Sequence, residues 1–295
     1  MQQSLGSKSP NISSVVKILD LMDRYDLFLL DIWGVIIEGD GTYPNAVEAV
    51  NYLIAHKKVV FVSNVPRTIE STDQMLKGYG VNVLPEMIVT SGDLTRKFLA
   101  NSSQHLNITS PLLYNLGLAR HYELWHGLDI PVVNDIEKAN LLMIVINIAA
   151  KDIEPSSYDL LQQAALLKIP AICANNDKVY AHSGQIIYCA GHFAEKFEDF
   201  GGKVWYMGKP FAPIFEEALR KHPEVEKERI LMIGDTIDTD IVGASNIGIN
   251  SALVTTGNIG FQVSGSQNKL LAVRDLCSAQ NVCPDHIISL DLSKV

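Results

Sequence analysis

The sequence predicts an α/β protein, a doubly wound parallel sheet of Rossmann-like type carrying an inserted α/β domain. Three observations predict it. Short continuous apolar runs (L-F-L-L from Leu27, V-V-F-V from Val59, I-L-M-I from Ile230) alternate with stretches of helical periodicity, as in parallel strands buried on both faces. The same alternation restarts in the middle third, between two halves of what reads as one sheet. Four polar signals each stand where an apolar run ends, and ligands of open parallel sheets collect there.

Taken in order, Asn11 and Ser13 ahead of Val15, Val16, Ile18, Leu19 and Met22 at helical spacing predict a helix over 11–25, followed by a strand at 27–30. Helix 44–56, strand 58–62 and helix 68–79 up to Gly80 come next. Toward the other end, strand 230–233, helix 240–247, strand 251–254, helix 268–279 and strand 286–290 continue the pattern, with a Gly-, Ser- and Asn-rich loop at 256–267. Between them run helix 92–100, strand 111–114, helix 118–127, strand 141–146, helix 156–167 and strand 171–174. The spacing therefore divides the chain into a core, 1–80 and 187–295, and an inserted domain, 81–186.

Composition excludes several classes of function. At 295 residues, 47% hydrophobic and 19% charged, the chain is ordinary globular protein with ample length for a core. Its net charge of −9 repels polyanions, and no Lys/Arg run with interleaved aromatics offers a stripe for phosphate backbones, so nucleic acid is not an expected partner. Cys173, Cys189, Cys277 and Cys283 form no C-x-x-C pair and read as reduced, mostly buried thiols of a cytoplasmic protein. The opening M-Q-Q-S-L-G-S-K-S-P lacks the apolar core of a signal peptide. The longest apolar run, 141–150 interrupted by Asn147, is too short to span a bilayer, so no membrane association is expected.

The chemistry lies in the four strand-end signals: Asp31, Ser63-Asn64, Lys209 and Asp235. Each alone has an ordinary explanation, since Asp, Ser and Asn cap helices and turns, lysines are usually solvated, and the carboxylates of G-D-T-I-D-T-D can offset a helix dipole. Their joint order and placement make a site. A phosphomonoester repels an anionic nucleophile, so an attacking carboxylate needs cations on the phosphoryl oxygens. Asp31 has the place of the nucleophile, forming an aspartyl-phosphate. Asp31 and Asp235 supply the one or two carboxylates that Mg²⁺ usually takes. Lys209 gives a fixed positive charge; the Ser63 hydroxyl, the Asn64 amide and backbone N–H groups around Trp33-Gly34 are placed to donate to phosphate. Asp240, one turn into the next helix, is expected to orient Lys209 or metal waters.

D-I-W-G-V, V-S-N-V-P-R, G-K-P and G-D-T-I-D-T-D together resemble the four motifs of the haloacid dehalogenase superfamily, and the G-K-P form with an inserted α/β cap resembles its class IIA, the p-nitrophenyl, pyridoxal and nucleotide or sugar phosphatase branch. The resemblance runs from Asp31 to the last strands. It implies a Mg²⁺-dependent hydrolase of a small phosphorylated metabolite, with a cap that supplies specificity and pairs in relatives, hence a homodimer as the family-level expectation. A-N-N-D at 174–177 is similar to the family's T-N-P-D segment, which places Asn175 and Asp177 near substrate.

Trp33 departs from the pattern. Most phosphatase members carry a second aspartate there, which protonates the leaving oxygen and later activates water. Tryptophan transfers no proton, although its backbone carbonyl keeps the oxygen that the motif offers to the metal. Three readings follow: a phosphatase with reduced acid/base catalysis, or one borrowing Glu38 or Asp40 from the adjacent flap; a weak or inactive regulatory protein that binds phosphate and Mg²⁺; and a phosphonate or carbon–halogen hydrolase, against which the full G-D-x-x-x-x-D arrangement argues.

Overall fold

The computed structural model describes residues 14–182 and 185–292. The chain divides into two compact units, one formed by the described residues up to Val62 with Leu76–Met87 and Ala218 onward, the other by Ser63–Met75 and Ile88–Glu217. Among the described residues no helix is long and apolar enough to cross a membrane.

The first unit is built on neighbouring parallel strands in the order Val15–Lys17, His286–Ser289, Asn250–Val254, Ile230–Gly234, Leu27–Leu30 and Lys58–Ser63. Leu27, Phe28, Leu29 and Leu30 are all fully buried, which is why this segment is apolar without alternation. From Leu27–Leu30 the next strand in sequence lies on one side and Ile230–Gly234 on the other, so the order reverses between them. A reversal of this kind opens a crevice at the carboxyl ends of the two strands. Helix Ala46–His56 buries Ala46, Ala49, Val50 and Leu53, an apolar stripe at helical spacing. Helix Lys269–Ala279 starts at Asn268, whose side chain accepts the Leu271 N–H, and packs Val273 and Cys277 with Leu253 and Ile287.

Two expectations for this unit are corrected. Where a helix is predicted over 11–25, the chain forms strand Val15–Lys17, paired with Ile287, Ile288 and Ser289, and then a single 3₁₀ turn, Ile18–Leu21. Adjacent β-branched valines beside an open sheet edge favour the ladder over the helix. Asn11 and Ser13, and the opening ten residues, lie outside the described residues. In the expected loop 256–267, Gly257–Gln262 is helical and buries Ile259, with Val263 following in the same core; this spacing outweighs the Gly and Ser content.

The second unit contains its own parallel sheet, Val204–Tyr206, Ala171–Cys173, Leu141–Ile144, Leu113–Leu116 and Val132–Val133 in that order. One face packs against helices Pro155–Leu166 and Ala190–Asp199 through Leu161, Ala164, Phe193 and Phe197. The other packs against helix Ser91–Ala100 and the 3₁₀ turn Ala119–Leu124, which replaces the longer helix expected over 118–127, through Leu99 and Leu124. Beyond the strand ends, Ile148–Ala149, Gln185–Tyr188 and Val179–His182 form a small antiparallel sheet. Val204–Tyr206 pairs with Ala171–Cys173 in the second unit's parallel sheet rather than in the first unit's, where a boundary at 187 would put it, and Lys209 is reached from its end. All four cysteines are free, and Cys173, Cys189 and Cys277 are buried.

Candidate active site

In the first unit, the two strands at the reversal deliver two aspartates. Asp31 directly follows Leu27–Leu30, its N–H donating to the Ile233 carbonyl at 2.9 Å, and Asp235 follows Ile230–Gly234. A π-helical turn, Ile237–Ile241, then brings Asp240 back, so that carboxylate oxygens of Asp31, Asp235 and Asp240 lie within 4.8 Å of one another. Asp235 and Asp240 are 3% and 0% exposed. Three buried carboxylates this close repel one another, and an all-oxygen donor set is what a hard divalent cation requires. The residues present therefore fit Mg²⁺.

Each carboxylate is oriented by its neighbours. Asp31 Oδ1 accepts the Ile32 N–H at 2.8 Å. Asp235 Oδ1 accepts the Thr236 hydroxyl at 3.1 Å, and Oδ2 accepts the Asn258 N–H at 2.6 Å. Asn258 Nδ2 also donates to the Thr236 hydroxyl at 3.0 Å, and Thr236 N–H donates to Asp240 Oδ2 at 3.0 Å. Thr236 and Asn258 were not singled out from sequence. The signal for Asn258 was its place after the strand ending at Val254, within the stretch read as a loop.

Gly34 is obligatory for a steric reason. Its φ is +81°, and a Cβ there would stand 2.1 Å from Asp235 Oδ2. Its N–H donates to the Ile37 carbonyl at 3.0 Å and closes the turn after Trp33. Trp33 is 37% exposed. Glu38 and Asp40 sit exposed on the hairpin of Ile37–Glu38 and Gly41–Thr42.

The second unit gathers the remaining predicted residues into one network. Asn64 clamps the Lys209 backbone: Lys209 N–H donates to Asn64 Oδ1 at 2.7 Å, and Asn64 Nδ2 donates to the Lys209 carbonyl at 3.1 Å. The second hydrogen of Nδ2 goes to Asp177 Oδ1 at 2.9 Å. Both donors of Asn64 are thus engaged within the protein. The approach leaves no room for a side chain at Gly208, whose Cβ would lie 2.3 Å from Asn64 Oδ1. Asn175 forms an Asx turn, its Oδ1 accepting the Asp177 N–H at 2.9 Å, so it shapes the segment that presents Asp177. Lys209 is fully buried. Ser63 Oγ accepts the Val65 N–H at 3.3 Å, leaving its hydroxyl hydrogen for an acceptor. Two residues absent from the sequence reading complete the network. Asn176 Nδ2 donates to the Gly208 carbonyl at 2.7 Å, and the Ser91 hydroxyl reaches the carbonyls of Ala174 at 2.6 Å and Val65 at 3.1 Å.

The chain is similar to known proteins in sequence and in fold. Residues 28–112 match the haloacid dehalogenase-like hydrolase family, and residues 206–272 match a second family described as HAD-hydrolase-like. A crystal structure of a hydrolase of the haloacid dehalogenase-like family from Brucella suis is 31% identical, with a TM-score of 0.71 over 82% of this chain and 89% of that one. The acid sugar phosphatase of Staphylococcus haemolyticus is 26% identical over 242 residues, 80% of this chain and 87% of its own. The p-nitrophenyl phosphatase of Archaeoglobus fulgidus shares the fold, with a TM-score of 0.69 at 23% identity over 90% of this chain and 97% of that one.

Proposed function

Since the chain belongs to the haloacid dehalogenase-like hydrolase family, we propose that it is a Mg²⁺-dependent phosphatase of a small phosphorylated metabolite, working through an aspartyl-phosphate with reduced acid/base catalysis. The observation that carries this reading is the convergence of Asp31 and Asp235 carboxylate oxygens at the point where the strand order reverses. Asp31, the Trp33 carbonyl and Asp235 would hold Mg²⁺, with Asp240 fixed beside them through Thr236. When bound, the ion supplies charge compensation for the phosphoryl oxygens.

Asp31 attacks phosphorus, the ester P–O bond breaks, and the leaving oxygen departs with the electron pair. Water then attacks the aspartyl-phosphate, releasing inorganic phosphate and restoring the Asp31 carboxylate. Lys209, held through its backbone by Asn64, supplies the fixed positive charge on the transferring group, and the Ser63 hydroxyl donates to it. The indole of Trp33 gives the leaving oxygen no proton, so esters with acidic leaving groups are turned over best. Residues 81–186 act as the specificity-bearing insertion, with Asp177 accepting a hydrogen bond from the Asn64 amide that clamps Lys209. Trp33 also favours a second reading, a phosphate- and Mg²⁺-binding regulatory protein with little turnover.

Asp31→Asn separates the two. The variant keeps shape and removes the anionic nucleophile, so hydrolysis of p-nitrophenyl phosphate with Mg²⁺ should fall at least about 10³-fold. Hydrolysis at the parent rate would overturn the assignment, and a parent with no turnover on any phosphate ester would favour the regulatory reading.

A further inference from the structure

Each of the three carboxylates at the strand reversal has one oxygen engaged by a main-chain N–H. Ile32 N–H donates to Asp31 Oδ1 at 2.8 Å, Asn258 N–H to Asp235 Oδ2 at 2.6 Å, and Thr236 N–H to Asp240 Oδ2 at 3.0 Å. For Asp235 and Asp240 the same oxygen is also walled in by backbone. A Cβ on Gly257 would stand 2.0 Å from Asp235 Oδ2, and one on Gly34 would stand 2.1 Å from it, so that oxygen lies between two glycines. A Cβ on Gly234 would stand 2.1 Å from Asp240 Oδ2.

The wall over Asp235 is braced from several sides, all within the first unit. The Thr256 hydroxyl donates to the Gly34 carbonyl at 2.5 Å, and the Gly257 N–H donates to the Tyr43 hydroxyl at 3.0 Å. Asn258 gives its N–H to Asp235 Oδ2 and its Nδ2 to the Thr236 hydroxyl. Gly257 has a φ of +58°, and its Cβ would lie 2.5 Å from Gly34 Cα, so only glycine lets the two backbones meet. Tyr43 is anchored in turn, its N–H donating to the Ile36 carbonyl at 2.9 Å. None of Tyr43, Thr256 and Gly257 has work in the chemistry above, which uses Asp235 only as a charged oxygen.

A carboxylate enclosed at Oδ2 meets a cation through Oδ1 alone. That restriction separates divalent ions. Mg²⁺ takes six oxygens at about 2.0–2.1 Å and accepts single carboxylate oxygens, whereas Ca²⁺ gathers six to eight at about 2.3–2.6 Å and readily takes a carboxylate through both.

We propose that Thr256, Gly257 and Asn258, latched by Tyr43, form a clamp that confines Asp235 to one metal-facing oxygen and so sets a preference for Mg²⁺ over Ca²⁺. These are positioning residues, acting through Asp235. The inference rests on the metal site of the phosphatase reading, and its test reads ion binding rather than turnover.

Calorimetry on the full-length protein with magnesium chloride and calcium chloride, with no phosphate ester present, measures the ratio of the two affinities. The parent should favour Mg²⁺. Asn258→Pro removes the N–H that holds Oδ2, at a first-turn position where proline is tolerated, and should lower the Mg²⁺-to-Ca²⁺ ratio at least about tenfold. Asn258→Ala keeps that N–H and should hold the ratio within about threefold of the parent. If the proline variant does not fold, Tyr43→Phe combined with Thr256→Val unpins the same loop and should shift the ratio in the same direction by at least about threefold. A loop that serves stability alone would lower the thermal midpoint in these variants and leave the ratio unmoved, which overturns the proposal. A parent that prefers Ca²⁺ overturns it too. A parent that binds neither ion overturns the metal site and the clamp together, whereas selective Mg²⁺ binding without turnover of any ester upholds the clamp and removes the phosphatase reading.

Discussion

Replacing Trp33 with aspartate returns a proton-transferring carboxyl group to the position two residues after the nucleophile, and the structure sets what this should cost and gain. Trp33 is 37% exposed, while Ile32 and Val35 on either side are 0% and 1% exposed. The indole is thus more than half covered, and its removal should cost about 2–3 kcal/mol, below the roughly 3–5 kcal/mol of a fully buried aromatic. The turn itself survives, because its bonds are backbone bonds, Gly34 N–H to the Ile37 carbonyl and Ile36 N–H to the Ile32 carbonyl. A thermal midpoint lowered by a few degrees is the expected signature. The gain is a positioned acid and base, which contributes about 10²–10⁴-fold, or roughly 2.7–5.4 kcal/mol of barrier. It should appear selectively. An alkyl phosphate such as glycerol 3-phosphate needs its leaving oxygen protonated, whereas p-nitrophenolate leaves unaided. In the parent, rates should fall steeply as the leaving-group pKa rises. In Trp33→Asp the slope should flatten, with alkyl phosphates gaining and p-nitrophenyl phosphate little changed. A folded, Mg²⁺-binding variant that gains nothing, beside a parent that already cleaves alkyl phosphates as fast as aryl ones, would refute the reasoning. Glu38 and Asp40 on the adjacent hairpin would then be the carboxylates to remove.

Three further outcomes follow from the same geometry. Asp235→Asn should weaken Mg²⁺ binding at least about tenfold by calorimetry, because it removes an anionic oxygen from a site with few to spare; unchanged affinity would take Asp235 out of the metal site. Gly34→Ala places a Cβ 2.1 Å from Asp235 Oδ2 at a φ of +81°, so both unfolding free energy and Mg²⁺ affinity should drop, the former by at least the roughly 1–2 kcal/mol of a left-handed non-glycine residue; a variant equal to the parent in both would contradict the close approach. His121 is held down to about 4 from 6.5, first by burial and then by Arg120 and Arg67. The unfolded chain therefore takes up a proton that the folded chain refuses between those values. The stability it contributes is complete above about pH 6.5 and is lost as pH falls toward 4, by at most roughly 3 kcal/mol. Urea midpoints at pH 7, 6 and 5 should decline more steeply in the parent than in His121→Gln, and parallel declines would count against a buried neutral imidazole.

The central strands were legible because they are buried on both faces: Leu27–Leu30 and Ile230–Gly234 have no solvent side to break the apolar run. Asp31, Asp235 and Lys209 were legible for the related reason that a charged residue ending such a run has few uses apart from a cap or a site. Edge elements escaped. Val15–Lys17 is three residues long and takes its structure from Ile287, Ile288 and Ser289, more than 250 positions away, which no local periodicity reports. Helix Gly257–Gln262 was hidden by glycine and serine, and declared itself only through Ile259 in the core.

Asparagine shows why partners are harder to read than charges. In sequence, Asn64, Asn115, Asn147, Asn176 and Asn258 all look like turn residues after apolar runs. The fold gives them different work. Asn64 meets the backbone of Lys209 from 145 residues away with both ends of its amide, a match that fixes which end is oxygen. Asn258 meets Asp235 and Thr236 through its main-chain and side-chain nitrogens. Asn176 uses its nitrogen on Gly208 and keeps an oxygen without a partner, as do Asn115 and Asn147. An amide satisfied at both ends holds the protein to itself. One satisfied only at its nitrogen leaves an acceptor whose desolvation is uncompensated until a donor arrives. That difference exists only once strands distant in sequence have been laid side by side.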